Sequence, residues 1–154
     1  MQAVIRVQTA DFNLQQEYQA LLASGGNIGA VVSFTGLVRD RDTDTPLSHL
    51  YLEHFPEVTE AEIARIVQTA AGRWPLSACT VIHRVGRLAA DEQIVLVLTA
   101  SEHRQAAFEA AEYLMDYLKT EAPFWKQEAF SDGREQWVAA KQSDCAAAAQ
   151  WEQP

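Results

Sequence analysis

Mixed α and β structure in a single compact domain, residues 1–154, is what this sequence predicts, and three observations predict it. With 154 residues, 48% of them hydrophobic, the chain can bury a core without disulfide staples. Apolar residues recur with period 2 in some segments and near 3.6 in others, so strands and helices both occur along the chain. Two β-branched runs, Cys79–Gly86 and Gln93–Ala100, are separated by Arg87 to Glu92, a spacing that suits an antiparallel pair of central strands.

The elements follow in order. Ala3–Val7 alternates like a short strand, and Asn13–Ala23 carries Leu14, Tyr18, Leu21 and Leu22 at helical spacing before Ser24-Gly25-Gly26-Asn27 ends it. Ile28–Arg39 is rich in β-branched and aromatic residues, with Gly29 and Gly36 inside it. It reads as a strand feeding a polar, mobile loop, Asp40 to Pro46, and a further strand spans Ser48–Phe55. Thr59 and Glu62 form a capping box for a helix over Glu60–Ala71, closed by Gly72 and Trp74-Pro75. Ser101 is placed to cap the longest helix, which runs to about Thr120, and Pro123 forbids its continuation. Phe124–Phe130 and Glu135–Ala139 flank Ser131-Asp132-Gly133-Arg134 as a hairpin. The Ala-rich tail, 143–154, is expected either to add a helical turn or to fray as a mobile end.

Composition excludes several classes of function. The start, Met1-Gln2-Ala3-Val4-Ile5-Arg6, lacks the features of a secretory signal, and no apolar run approaches the roughly 18 residues of a membrane span, so a cytoplasmic protein is expected. A net charge of −9, without a basic run interleaved with aromatics, argues against nucleic acid. Cys79 and Cys145 form neither a disulfide framework nor a metal spacing, and His49, His54 and His83 lack paired ligand spacing, so no metal and no cofactor are expected.

In so acidic a chain the placement of the bases is informative. Arg39 ends a strand, His103 and Arg104 open the long helix, Lys119 closes it, and Lys126 follows Pro123. An arginine in a first helical turn opposes the helix dipole, a placement that favours an anion bound at the exposed N–H groups. Lys119 and Lys126 each have an ordinary structural explanation taken singly. Brought together in a partly dry pocket, two lysines depress each other's pKa and make an amine available as base or nucleophile. Arg104 and Lys119 lie roughly 22 Å apart along one helix at about 1.5 Å per residue, so one copy does not easily aim both at one small ligand. If both touch one substrate, a two-fold dimer with a shared site is the simplest solution.

Several segments carry a family resemblance: Phe34-Thr-Gly-Leu-Val-Arg39, Leu52-Glu-His-Phe-Pro56, Arg73-Trp-Pro-Leu76, Val81-Ile-His-Arg-Val-Gly86, and Met115-Asp-Tyr-Leu-Lys119 through Ala122-Pro-Phe-Trp-Lys126. In order and spacing, from Ile28 to Trp151, they resemble the large, catalytic subunit of molybdopterin synthase, the MoaE family. The resemblance implies an α+β hammerhead-type fold with a mainly antiparallel sheet, a long helix and a smaller β subdomain. It implies a homodimer within a heterotetramer, whose small ubiquitin-like subunits each carry a C-terminal Gly-Gly thiocarboxylate as sulfur donor. The substrate implied is cyclic pyranopterin monophosphate, which receives two sulfurs to become the dithiolene of molybdopterin. By the family pattern Lys119 and Lys126 are catalytic, while Leu37, Val38, Arg39, His103, Arg104, Gln127 and Glu128 contact substrate, His103 and Arg104 from the opposite subunit. An external sulfur donor suits a chain in which neither cysteine sits in an activating environment. The sequence departs from the family at Lys141, where an arginine is frequent; an ammonium is a point charge, not a bidentate fork. Two other readings stay open on the residues alone: a non-catalytic dimeric scaffold that binds an acidic metabolite or a ubiquitin-like tail, and a cyclic-phosphate hydrolase with His103 as base.

Overall fold

A computed structural model describes residues 1–39, 46–138 and 142–152. In chain order its elements are β1 (Gln2–Gln8), α1 (Leu14–Ala23), β2 (Ala30–Leu37), β3 (Leu47–His54), α2 (Val58–Arg73), β4 (Leu76–Arg84), β5 (Gly86–Ala89), β6 (Gln93–Ser101), α3 (Arg104–Thr120), β7 (Phe124–Phe130), β8 (Glu135–Val138) and α4 (Gln142–Ala149), followed by a short 3₁₀ turn, Gln150–Glu152. They form two four-stranded sheets, β1-β4-β6-β2 and β5-β3-β7-β8. Among the described residues only β1 and β4 pair in parallel; every other pairing there is antiparallel.

The first sheet is covered on both faces, and side-chain alternation along its central strands decides what goes where. Ala78 and Ile82 of β4, with Leu96, Leu98 and Ala100 of β6, pack with Phe12 and Leu21, the latter from α1. The intervening residues Cys79, Val81, Val95 and Val97 turn the other way, against Ile63, Ile66 and Val67 of α2 and Ala110 and Leu114 of α3. His83, two positions beyond Val81, shares that second face. Thr99, on that same face, is fully buried with its hydroxyl satisfied by donating to the Ala107 carbonyl of α3 at 2.7 Å. A third cluster, Val38, Leu50, Leu52, Val85 and Leu88, closes the seam toward the second sheet.

The central antiparallel pair, the long helix and the hairpin fall where the sequence puts them, while two caps do not. Ser101 stays in β6, buried, with its hydroxyl donating to the Pro75 carbonyl at 2.8 Å; α3 begins three residues later, after an extended His103 that makes no side-chain cap. Likewise α2 starts at Val58, because the Glu57 N–H finds the Glu60 carboxylate at 3.1 Å. Thr59 is fully buried instead, accepting from the Phe55 N–H and donating to the Pro123 carbonyl, both at 3.0 Å. A further strand, β5, occupies the segment expected to be a plain connection, drawn in by pairing with β3.

The described part of the tail is a helix packed on α3. Trp151 stands edge-on to Trp74 and Tyr113, and its indole N–H donates to Asp116 at 2.7 Å. The Arg73 guanidinium lies 5.1–5.5 Å from the ring centroids of Trp74, Tyr113 and Trp151 and also donates to the Trp151 carbonyl. No helix among the described residues is long and apolar enough to cross a membrane.

Candidate active site

Between the two sheets, at the C-terminal end of α3, lies a cavity of about 570 Å³. The end of β2 supplies one wall, and its geometry is fixed by close approach. At Gly36 an added Cβ would come within 2.7 Å of the Val95 side chain, so glycine lets β2 pass here without displacing Val95. The register with β6 shifts between Gly36 and Leu37, and Val38 then exchanges backbone hydrogen bonds with the 89–92 turn, its N–H donating to Glu92 and its carbonyl accepting from Asp91. This bulge and its two bonds set where Arg39 leaves the strand.

Alternation on β7 decides which of its residues reach the cavity. Lys126 and Glu128 stand opposite Leu52 and Leu50 of β3, on the inward face, and line the cavity with Phe124. Gln127, opposite Tyr51 and Trp137, lies on the outward face, where its amide donates to Glu135 at 3.3 Å.

Lys119 reaches the same cavity from the last turn of α3, where the helix dipole favours a cation. Leu37, Val38 and Arg39 line it from β2 and just beyond. Thus Leu37, Val38, Arg39, Lys119, Lys126 and Glu128 converge within one chain. Lys119 remains exposed at the rim and Lys126 is half-buried, so the cavity sets three cations, Arg39, Lys119 and Lys126, against two carboxylates, Glu128 and Asp144, while keeping solvent access. His103 and Arg104 do not line it; both are exposed at the opposite end of α3. Arg41 and Lys141, and the loop from Asp40 to Thr45, lie outside the described residues. Among the described residues no cluster of His, Cys, Asp and Glu could hold a metal ion.

Sequence reasoning missed His83 and Asp144, both of which line the cavity. His83 gives a weak signal in sequence, a polar residue at a position whose alternation with Cys79 and Val81 aims it at α3. Asp144 has none, because its place depends on how α4 docks. Neither thiol lines the cavity: Cys79 is buried, which pushes its pKa up to about 12, and Cys145 is an exposed tail residue.

A sequence model of the family described as "MoaE protein" matches residues 7–121. The chain belongs to the MoaE family. The molybdopterin synthase catalytic subunit of Mesorhizobium japonicum is 54% identical over 148 residues, covering 96% of this chain and 92% of that relative. That of Pseudomonas aeruginosa is 49% identical over 149 residues, covering 97% and 99%. Among solved structures, a MoaE protein from Burkholderia ambifaria matches with a TM-score of 0.84 and 47% identity over 99% of each chain. The α+β, mainly antiparallel architecture is therefore a family property, and it continues past the matched segment into β7, which carries Lys126.

Proposed function

We propose that this MoaE chain is the catalytic subunit of a molybdopterin synthase, moving sulfur from the C-terminal thiocarboxylate of a small ubiquitin-like subunit to cyclic pyranopterin monophosphate. The observation that carries the reading is the convergence of Lys119, Lys126 and Arg39 on one cavity in a chain of net charge −9. Three cations in one cleft attract and hold two anions, a cyclic phosphate and a thiocarboxylate. Arg39 binds the phosphate; Lys119 and Lys126 orient the thiocarboxylate and stabilise charge that develops at the reacting carbon. Leu37 and Val38 form the apolar edge of the substrate site, and Glu128 on the same face offers an acceptor to the heterocycle. Two rounds, each consuming one thiocarboxylate, place two sulfurs. With Cys79 buried and protonated and neither thiol lining the cavity, the small subunit is the donor in this reading.

His103 and Arg104 enter this scheme from a second copy of the chain, in a homodimer that carries a small subunit at each end and works in the cytoplasm. With one helix separating them from Lys119 by roughly 22 Å, the opposite subunit is the natural source of an anion-binding helix start. Gln127, on the outward face of β7, takes part only if that face meets the partner or substrate.

The deciding measurement is sulfur incorporation into the cyclic pterin by the purified chain and a thiocarboxylated small subunit, wild type against Lys119→Ala. Sulfurated product that falls at least about 100-fold without Lys119 supports the assignment. Tight pterin binding with no transfer by the wild type reduces the chain to a scaffold, and ring-opened product without sulfur points to a hydrolase.

A further inference from the structure

Beside Lys119 the cavity holds a group for which the scheme above has no use. His83 lies at the end of β4, half-buried, with its ring stacked on Phe124 at 3.9 Å between centroids and 21° between planes. Its Nδ1 is 2.8 Å from the Arg84 carbonyl oxygen. A carbonyl only accepts, so Nδ1 carries the hydrogen, and in the neutral ring Nε2 is left with a lone pair. Burial, then the nearby charges of His54 and Lys119, push the His83 pKa down to about 4, against the Arg84 hydrogen bond, which raises it. The ring is thus neutral near pH 7, in one tautomer, and close enough to Lys119 to feel its charge.

The stack also ties that ring to the start of β7. Phe124 lies between Lys119 and Lys126 in sequence, directly after Pro123, whose carbonyl is held by the Thr59 hydroxyl. Among the described residues no carboxylate is in ion-pair contact with Lys119. A carboxylate there would hold the ammonium by a strong charged bond and add negative charge to a site built for anions. A neutral imidazole supplies a directed acceptor without that charge.

We propose that His83 is a positioning residue for Lys119: its Nε2 lone pair, turned to the cavity, is the acceptor against which the Lys119 ammonium is aimed at substrate, directly or through one water. This rests on the reading of Lys119 as a catalytic residue. The role needs two things of the side chain, a flat ring or plane on Phe124 and an acceptor at its outer edge. Phenylalanine keeps the first and removes the second; glutamine restores an acceptor on a side chain of similar reach.

The test compares wild type, His83→Phe, His83→Gln and Lys119→Ala in sulfur transfer at saturating small subunit, with the folded fraction of each measured by near-UV circular dichroism. The expected result is a kcat about tenfold lower for His83→Phe, with the pterin KM changed less than about twofold, and recovery of most of that loss in His83→Gln. A role confined to packing predicts full activity in His83→Phe, and that result overturns the proposal, as does an equal loss in both folded variants. Imidazole ¹⁵N NMR of the whole chain gives a readout independent of turnover: Nε2 resonates as an unprotonated nitrogen, and Lys119→Met moves that resonance. An Nε2 signal unmoved by Lys119→Met also overturns it. If the wild type transfers no sulfur while Lys119→Ala is equally silent, it is the assignment of function that fails, and the NMR result stands apart from it.

Discussion

The two sheets of this molecule use the same strand chemistry to different ends. In β1-β4-β6-β2 both faces are covered, and the central strands are so enclosed that Ile82, Leu96, Val97 and Leu98 have no solvent exposure. In β5-β3-β7-β8 the inner face lines a cavity and the outer face carries aromatic residues in the open: Trp137 is 56% exposed, and Trp125 packs against an equally open Phe55. Hydrophobic stabilisation scales with apolar area removed from water, so it concentrates in the first sheet. What the second sheet gives up in burial it gains in reachable functional groups. Leu37, Val38, Arg39, Lys119, Lys126 and Glu128 sit along the seam, where a rigid layer presents side chains to an open one.

Removing a side chain from the sealed layer tests that division most severely. Leu98→Ala is expected to cost about 2–5 kcal/mol, because the Leu98 site is enclosed by Ile82, Leu21 and their neighbours and cannot collapse. Urea unfolding measures the loss, and sulfur transfer per folded molecule stays unchanged. Trp137→Ala on the open sheet is the matched control, expected to stay within about 0.5 kcal/mol. Equal losses would mean that the open sheet is as deeply packed as the sealed one.

Acid probes the seam itself. His83 is held down from 6.5 to about 4 in the fold, chiefly by burial, so the unfolded chain takes up its proton first. The stability contributed by the neutral ring is then fully present above about pH 6.5 and is lost as the pH falls toward 4; the shift corresponds to roughly 3 kcal/mol at most. Urea midpoints at about pH 7 and pH 4.5 are expected to differ less in His83→Phe than in wild type. Identical acid sensitivity in both proteins would show that His83 titrates normally and that the seam is wetter than the geometry indicates.

The sequence is most readable where one local rule acts alone. Asn13 caps α1 as its side chain demands, accepting from the Gln16 N–H at 3.0 Å, and the 131–134 turn joins β7 to β8. Reading fails where a tertiary partner outbids the local one. Ser101 and Thr59 are both good caps, yet the Pro75 and Pro123 carbonyls offered their hydroxyls buried acceptors, and the helices began elsewhere. The candidate site divides the same way. Lys119 and Lys126 stand close in sequence on either side of a proline break, so their meeting is legible. Glu128 and Gln127 are neighbours in sequence, and only the register with β3 shows that one faces the cavity and the other does not. His83 hid because a lone histidine in a strand is ordinary until its neighbours are known.

The mildest perturbation addresses the join between the sheets at Gly36. An alanine there has to displace the Val95 side chain, 2.7 Å from the new Cβ, and crowds Ile94 and the Phe34 ring at 3.4 Å. Overpacking of this kind costs about 1–3 kcal/mol, and because the closest contacts are side-chain atoms and not backbone, Gly36→Ala is placed toward the lower end. The functional effect should exceed the stability effect in proportion. Val95 and Ile94 line the cavity, and Arg39 emerges three residues beyond Gly36, after the bulge, so strain relieved by shifting β2 moves the guanidinium away from the phosphate position proposed for it. Gly36→Ala is therefore expected to raise the pterin KM severalfold while the unfolding midpoint moves little. If KM stays at its wild-type value while stability falls, the seam tolerates shear, and Arg39 is aimed by something other than the strand it ends.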